Sequence, residues 1–219
     1  MRAAAEPRGP HLPARQREPA ELTDSGATPE PPTYEDDRPL RVDWLDAGWF
    51  SDGLTGGVGL TYLPGKRGES LRYAGRVYRR DLDADLAALR AAGVRRLVLL
   101  IEDHELARWG DPQLVEIAER VGIEVLRRPM PDGGVPDGPE AMDEIVERID
   151  EERGRGGGVA VACLGGVGRT GTVAACVLVR SGYEPDDAIA KVRLTRNPYC
   201  VESPTQQQFV RDYAARLTA

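Results

Sequence analysis

The stretch Val161-Ala162-Cys163-Leu164-Gly165-Gly166-Val167-Gly168-Arg169-Thr170-Gly171 decides how the rest of the chain is read. Just before it, Gly158-Val159-Ala160-Val161 is a short, unbroken apolar run, the pattern of a strand covered on both faces of a parallel sheet. Just after it, a helix is expected from about Arg169-Thr170, and Ala174-Ala175-Cys176-Val177-Leu178-Val179 gives that helix an apolar body. Strand, glycine-rich turn and helix in direct succession form the unit from which α/β folds are built.

The same alternation recurs outward from this stretch. Val58–Leu63 alternates weakly and ends at Pro64-Gly65, a strand followed by a turn. Leu82, Leu86 and Leu89 share one helical face behind the acidic start Asp81 and Asp83, and Gly93 stops that helix. Arg96–Ile101 and Ile123–Leu126 read as two further strands. Between them Asp111-Pro112 is expected to open a helix as N-cap and first residue, with Leu114, Ile117, Ala118 and Val121 as its buried stripe. Pro129–Gly138 is loop, and Met142, Ile145, Val146 and Ile149 face inward from the helix after it. Glu184-Pro185 and Ser203-Pro204 start two more helices, the last with Phe209, Val210, Tyr213 and Leu217 inward. The expectation is one α/β domain over residues 41–219, a central, mainly parallel sheet flanked by helices, with ligands at the carboxyl ends of the strands.

Composition narrows the function. With 29 Lys and Arg against 36 Asp and Glu, the net charge of −7 excludes a dedicated nucleic-acid binder, which needs a basic face. No apolar run approaches the roughly 20 residues of a membrane span, so no membrane partner is expected. Cys163, Cys176 and Cys200 cannot close a disulfide framework and lack CxxC zinc spacing, which fits a reducing cytoplasm and calls for no metal. Residues 1–40 hold eight of the 17 prolines and almost no periodic apolar pattern, so they read as a disordered, acidic tail.

The chemistry of the opening stretch follows from its residue types. Glycines let successive backbone N–H groups point inward as an anion-binding nest, and the helix dipole adds positive charge at the same place. A thiol facing that field ionises readily, its pKa falling from ~8.5 into a range of about 3.5–7.5. Arg169 can grip two phosphate oxygens at once. Leu164, Gly165, Gly166, Val167, Gly168 and Arg169 thus form a phosphate cradle with the Cys163 thiolate at its floor. The spacing Gly166-x-Gly168-x-x-Gly171 also spells a dinucleotide pattern. That reading needs a second strand ending in an acid about 20 residues on, and Asp186 and Asp187 follow a helix stop instead. A nucleotide-binding P-loop is excluded because no Lys-Ser/Thr follows the glycines.

This loop resembles that of the protein tyrosine phosphatase superfamily, Cys-x5-Arg-Ser/Thr with glycines at these spacings, matched by Cys163, Gly166, Gly168, Arg169, Thr170 and Gly171. The chain is most similar to the small dual-specificity branch, of the kinase-associated type that dephosphorylates a cyclin-dependent kinase. The likeness extends to Gly59–Gly65, Pro131–Asp137 and Val173–Cys176, and spans about residues 43–218. It implies Cys163 as nucleophile forming a phosphocysteine, Arg169 and the loop amides holding the equatorial oxygens, and Thr170 bonding the sulfur. It implies Asp132 as the general acid that protonates the leaving oxygen and then activates water, with no cofactor. The substrate implied is a phosphorylated protein, phosphotyrosine and also phosphoserine or phosphothreonine.

The sequence departs from that family just before the cysteine, where Ala162 stands in place of histidine. A less perturbed thiol and lower activity at mildly acidic pH are expected from it, with no obvious substitute among His11 and His104. Asp137 rivals Asp132 as the acid on spacing alone. Its offset suits a helix N-cap, which leaves Asp132 preferred. Cys176 reads as a core residue and Cys200 as a passive half-buried thiol; Glu102-Asp103-His104-Glu105 follows a strand and could reach the edge of the site, but is read as a solvated, helix-opening cluster. Gln206 matches a site-bordering glutamine of larger tyrosine phosphatases, but the first glutamine of that motif falls on Glu202, so water positioning there is doubtful. Two alternatives accompany the protein phosphatase reading: an inactive phosphate-binding adaptor, and a lipid or inositol phosphatase. Apolar Leu164 and Val167 argue against the latter. Substrate and oligomeric state are left open.

Overall fold

The computed structural model describes residues 39–70 and 75–218. The segment expected to be a disordered tail lies, through residue 38, outside them. In chain order the strands are β1 (Asp43–Trp44), β2 (Val58–Tyr62), β3 (Arg67–Glu69), β4 (Val77–Arg79), β5 (Val94–Leu99), β6 (Glu124–Arg127) and β7 (Gly158–Cys163). The helices are α1 (Leu82–Ala91), α2 (Asp103–Trp109), α3 (Leu114–Arg120), α4 (Pro139–Gly154), α5 (Gly168–Arg180), α6 (Pro185–Thr195) and α7 (Pro204–Leu217).

Five strands form one sheet in the order β1-β2-β7-β5-β6. Only β1 runs antiparallel to its neighbour; β2, β7, β5 and β6 pair in parallel. The expected mainly parallel sheet flanked by helices is the fold observed. β7 lies at its centre, and all six of its residues are buried, as an unbroken Val/Ala run requires. The helix that follows, α5, is buried at every position but Arg180. Its Gly, Thr, Ala and Val side chains are small enough for it to pack on β7 and β2 while α4, α6 and α7 close around it. A strand and a helix each enclosed by the protein meet at Cys163–Gly168, which holds that loop rigidly.

Local signals explain most element ends. Asp81 caps α1 by accepting a hydrogen bond from Ala84 N at 2.9 Å, and Leu82, Leu86 and Leu89 are buried behind it. Gly93 takes a φ of +91°, the left-handed turn that carries the chain from α1 into β5. Ser203 and Gln206 cap α7 reciprocally.

Three expectations need correction, and one element was missed. Asp111-Pro112 does not begin α3: Asp111 bonds Gln113 N at 3.0 Å in a turn, and the helix starts at Leu114. Asp137 is not the N-cap of α4, a place taken by Gly138 with a φ of +91°. Leu217, in the last turn of α7, is 44% exposed, whereas Val210 and Tyr213 are buried as expected. The hairpin β3–β4 was not read from the sequence at all.

Candidate active site

Cys163 ends β7, paired across the sheet with Tyr62 at the end of β2. Its side chain is buried, and Gly166 N–H donates to the sulfur at 3.2 Å. The turn that brings this N–H inward needs glycine twice over. Gly166 has a φ of +65°, and a Cβ there would lie 2.3 Å from Thr61 O. α5 begins at Gly168, so the sulfur also faces the positive end of a helix dipole. Burial alone would push the Cys163 thiol up. The Arg169 charge, the Thr170 side chain and the N–H groups of Thr170 and Val167 outweigh it and hold the thiol below its ordinary value. The Thr170 hydroxyl falls short of a regular hydrogen bond and has no oxygen or nitrogen partner among the described residues. The sulfur is therefore the group it acts on.

Arg169 is buried, and its guanidinium is held on three sides. Its two terminal nitrogens donate to both carboxylate oxygens of Glu105, at 2.5 and 2.8 Å. One also donates to Met130 O at 3.1 Å, and the other to Asp132 Oδ1 at 3.1 Å. A guanidinium has five N–H donors; these four bonds occupy the terminal ones and leave Nε. Burial would raise the Glu105 carboxyl, but the bonds and charge of Arg169 hold it below the usual carboxylate range. The Glu102–Glu105 segment is thus not simply a solvated cluster. Glu105 is 2% exposed and orients the arginine. No spacing in the sequence signals this, since the partners are 64 residues apart.

Asp132 is where the sequence reading put it, on the loop beside Arg169 and lining the same cavity as Cys163. The loop is tied down by α7: Ser203 Oγ donates to Gly133 O and Gln206 Nε2 to Gly134 O, both at 3.0 Å. Gln206 Oε1 accepts from Glu202 N at 2.9 Å, so its amide is a structural clasp. Asp137, the rival acid, does not line the cavity.

The cavity measures about 360 Å³. Leu164, Gly165, Val167, Gly168 and Arg169 form its floor with Cys163, while Gly166 turns its N–H to the sulfur instead. The β3–β4 hairpin makes a wall from Lys66, Glu69, Ser70, Arg76 and Tyr78, joined by Trp109. That wall was missed in the sequence, where nothing marks it as a site. Cys176 lies in the core with its thiol pushed up by burial. Cys200 is wholly buried, more than expected, and burial pushes its thiol up to about 11. Among the described residues no three His, Cys, Asp or Glu gather as a metal-binding group.

Comparison with known proteins gives a consistent assignment. Residues 75–183 match the family model described as the DSP-PTPase phosphatase of polymorphic toxin systems. The chain is 26% identical over 195 residues to cyclin-dependent kinase inhibitor 3 of Rattus norvegicus, covering 87% of this chain and 86% of that protein. Its fold matches the crystal structure of the kinase associated phosphatase carrying serine for its catalytic-site cysteine. The TM-score is 0.72 at 24% identity, over 84% of this chain and 98% of that one. It also matches Tk-PTP in its active form, with a TM-score of 0.62 at 28% identity, over 80% of this chain and 97% of that one. Family model, relative and fold agree with one another, and the chain belongs to the small dual-specificity phosphatases.

Proposed function

We propose that the protein hydrolyses phosphate monoesters on proteins, phosphotyrosine and also phosphoserine or phosphothreonine, through a phosphocysteine on Cys163. The single observation that carries this reading is the Cys163 sulfur, beside Gly166 N–H at the mouth of α5 and next to Arg169, with its thiol held below the ordinary value. In the first step Cys163 Sγ attacks phosphorus and the P–O bond to the substrate breaks. The leaving oxygen takes the proton of Asp132, while Arg169 and the loop N–H groups hold the equatorial oxygens. In the second step Asp132 takes a proton from water, whose oxygen attacks phosphorus, and the sulfur departs as thiolate beside Thr170. Tyr62, Tyr78 and Trp109 in the cavity wall offer apolar faces to an aryl phosphate. A thiolate at this site needs a reducing compartment, and the cytoplasm is the place we propose for it.

Phosphate release from para-nitrophenyl phosphate and from phosphopeptides tests the reading. Turnover by the wild type that disappears in Cys163→Ser is the expected result. Tight phosphopeptide binding without turnover would make the protein an adaptor instead, and a preference for an inositol polyphosphate over phosphopeptides would make it an inositol or lipid phosphatase.

A further inference from the structure

Ala162, on β7 immediately before the nucleophile, brings neither charge nor hydrogen-bond donor to the sulfur. A side chain from the next strand's far end reaches the same cavity. β2 pairs Tyr62 with Cys163, the chain turns at Pro64-Gly65, and Lys66 follows at the root of the β3–β4 hairpin. Lys66 is only 7% exposed and lines the cavity together with Cys163, Asp132 and Arg169. Its Nζ stands 4.0 Å from the centre of the Tyr78 ring. Among the described residues no carboxylate lies within ion-pair distance of it. Buried ammonium groups are ordinarily paired with an acid, because removing the charge from water is costly. This one has an aromatic face and, in the same cavity, a sulfur.

We propose that Lys66 is the cation that faces the Cys163 thiolate and supplies from the hairpin the electrostatic support that position 162 lacks. The inference rests on Cys163 being the thiolate of the proposed function, and it assigns Lys66 a positioning role exerted through charge. Burial brings the Lys66 ammonium from the ordinary lysine value down to about 8. The Cys163 charge works against that fall and Arg76 adds to it. Coulombic attraction is mutual, so the interaction that favours Lys66 as a cation favours Cys163 as an anion. Arg169 and the loop N–H groups carry the larger share, and Lys66 adds to them from the hairpin side of the cavity. The other charged or titratable groups lining the cavity are Arg41, Tyr62, Glu69, Arg76, Tyr78, Asp132, Arg196 and Glu202.

The test is the pH dependence of Cys163 alkylation by iodoacetamide in the full-length chain, followed from pH 5 to 9 by mass spectrometry of the Cys163 peptide. Lys66→Met keeps the length of the side chain and removes its charge. Its alkylation midpoint is expected to rise by roughly one pH unit, the scale set by one charge removed from a half-screened site. Lys66→Arg is expected to keep the midpoint near that of the wild type. A midpoint unchanged in Lys66→Met, in protein whose circular dichroism matches the wild type, overturns the proposal. If that variant does not fold, Lys66→Gln is carried through the same titration and decides by the same criterion. A merely structural lysine would alter stability without moving this midpoint. A wild type that is inert toward para-nitrophenyl phosphate would refute the proposed catalysis and leave the alkylation result to judge Lys66 separately.

Discussion

At the scale of single residues, the site depends on charges that are aimed rather than merely present. Glu105 grips both terminal nitrogens of Arg169 from inside the protein, which sets the plane of the guanidinium before any phosphate arrives. Glu105→Gln keeps the shape but removes the buried partner of a buried cation and leaves it only the exposed Asp132, at a cost of up to about 3–5 kcal/mol. A misaimed arginine also lowers turnover. We expect kcat to fall about 10- to 100-fold, the scale of a displacement near 1 Å, in steady-state assays with para-nitrophenyl phosphate. The two candidate acids separate in the same assay. Asp132→Asn is expected to lower kcat by about 10²–10⁴-fold toward substrates with poor leaving groups, while Asp137→Asn leaves it near the wild-type value. A larger loss from Asp137→Asn would reverse that assignment.

At the scale of elements, the turn between β7 and α5 and the clasp between α7 and the acid loop do the positioning. Gly166→Ala forces a side chain into a φ of +65° with its Cβ against Thr61 O. The conformation alone costs about 1–2 kcal/mol, and the displaced N–H would no longer reach the sulfur. The variant should melt at lower temperature and lose the reactivity of Cys163 toward alkylating agents. Ser203→Ala removes both a helix cap, worth about 1 kcal/mol, and the bond that holds Gly133. These elements were legible in the sequence to different degrees, for physical reasons. β7 and α5 were plain because their patterns are local: a continuous apolar strand, glycines, then a helix of small residues. The Pro131–Asp137 loop was equally plain from its prolines and glycines. The β3–β4 hairpin was not, since Arg67–Glu69 and Val77–Arg79 have no buried face to alternate against. Lys66 was invisible as a site residue, and Glu105 was set aside in favour of a solvated cluster, because each depends on a tertiary approach that no spacing records.

At the scale of the molecule, a chain of net charge −7 presents a cavity lined by Arg41, Lys66, Arg76, Arg169 and Arg196, against the acids Glu69, Asp132 and Glu202. A phosphate dianion is therefore drawn to this cavity although the chain as a whole is acidic. kcat/KM for a phosphopeptide is expected to fall as salt is raised from 20 to about 500 mM, the range over which the screening length shortens several-fold. Acid should also unfold the protein through its site. The Glu105 carboxyl is held below its usual value when folded, so it contributes stability that is complete above about pH 4.3, its unfolded value. That contribution is lost as pH falls through the lower folded value. Thermal melts between pH 6 and 3 should show the loss, with a shallower slope for Glu105→Gln.

The bond between Arg169 and Asp132 has one more implication. With both terminal nitrogens otherwise engaged, an arriving phosphate that seeks two prongs of the guanidinium takes Nε and evicts the aspartate from its berth. On the proposed mechanism, occupancy of the cradle would then free Asp132 at the moment a leaving oxygen needs its proton.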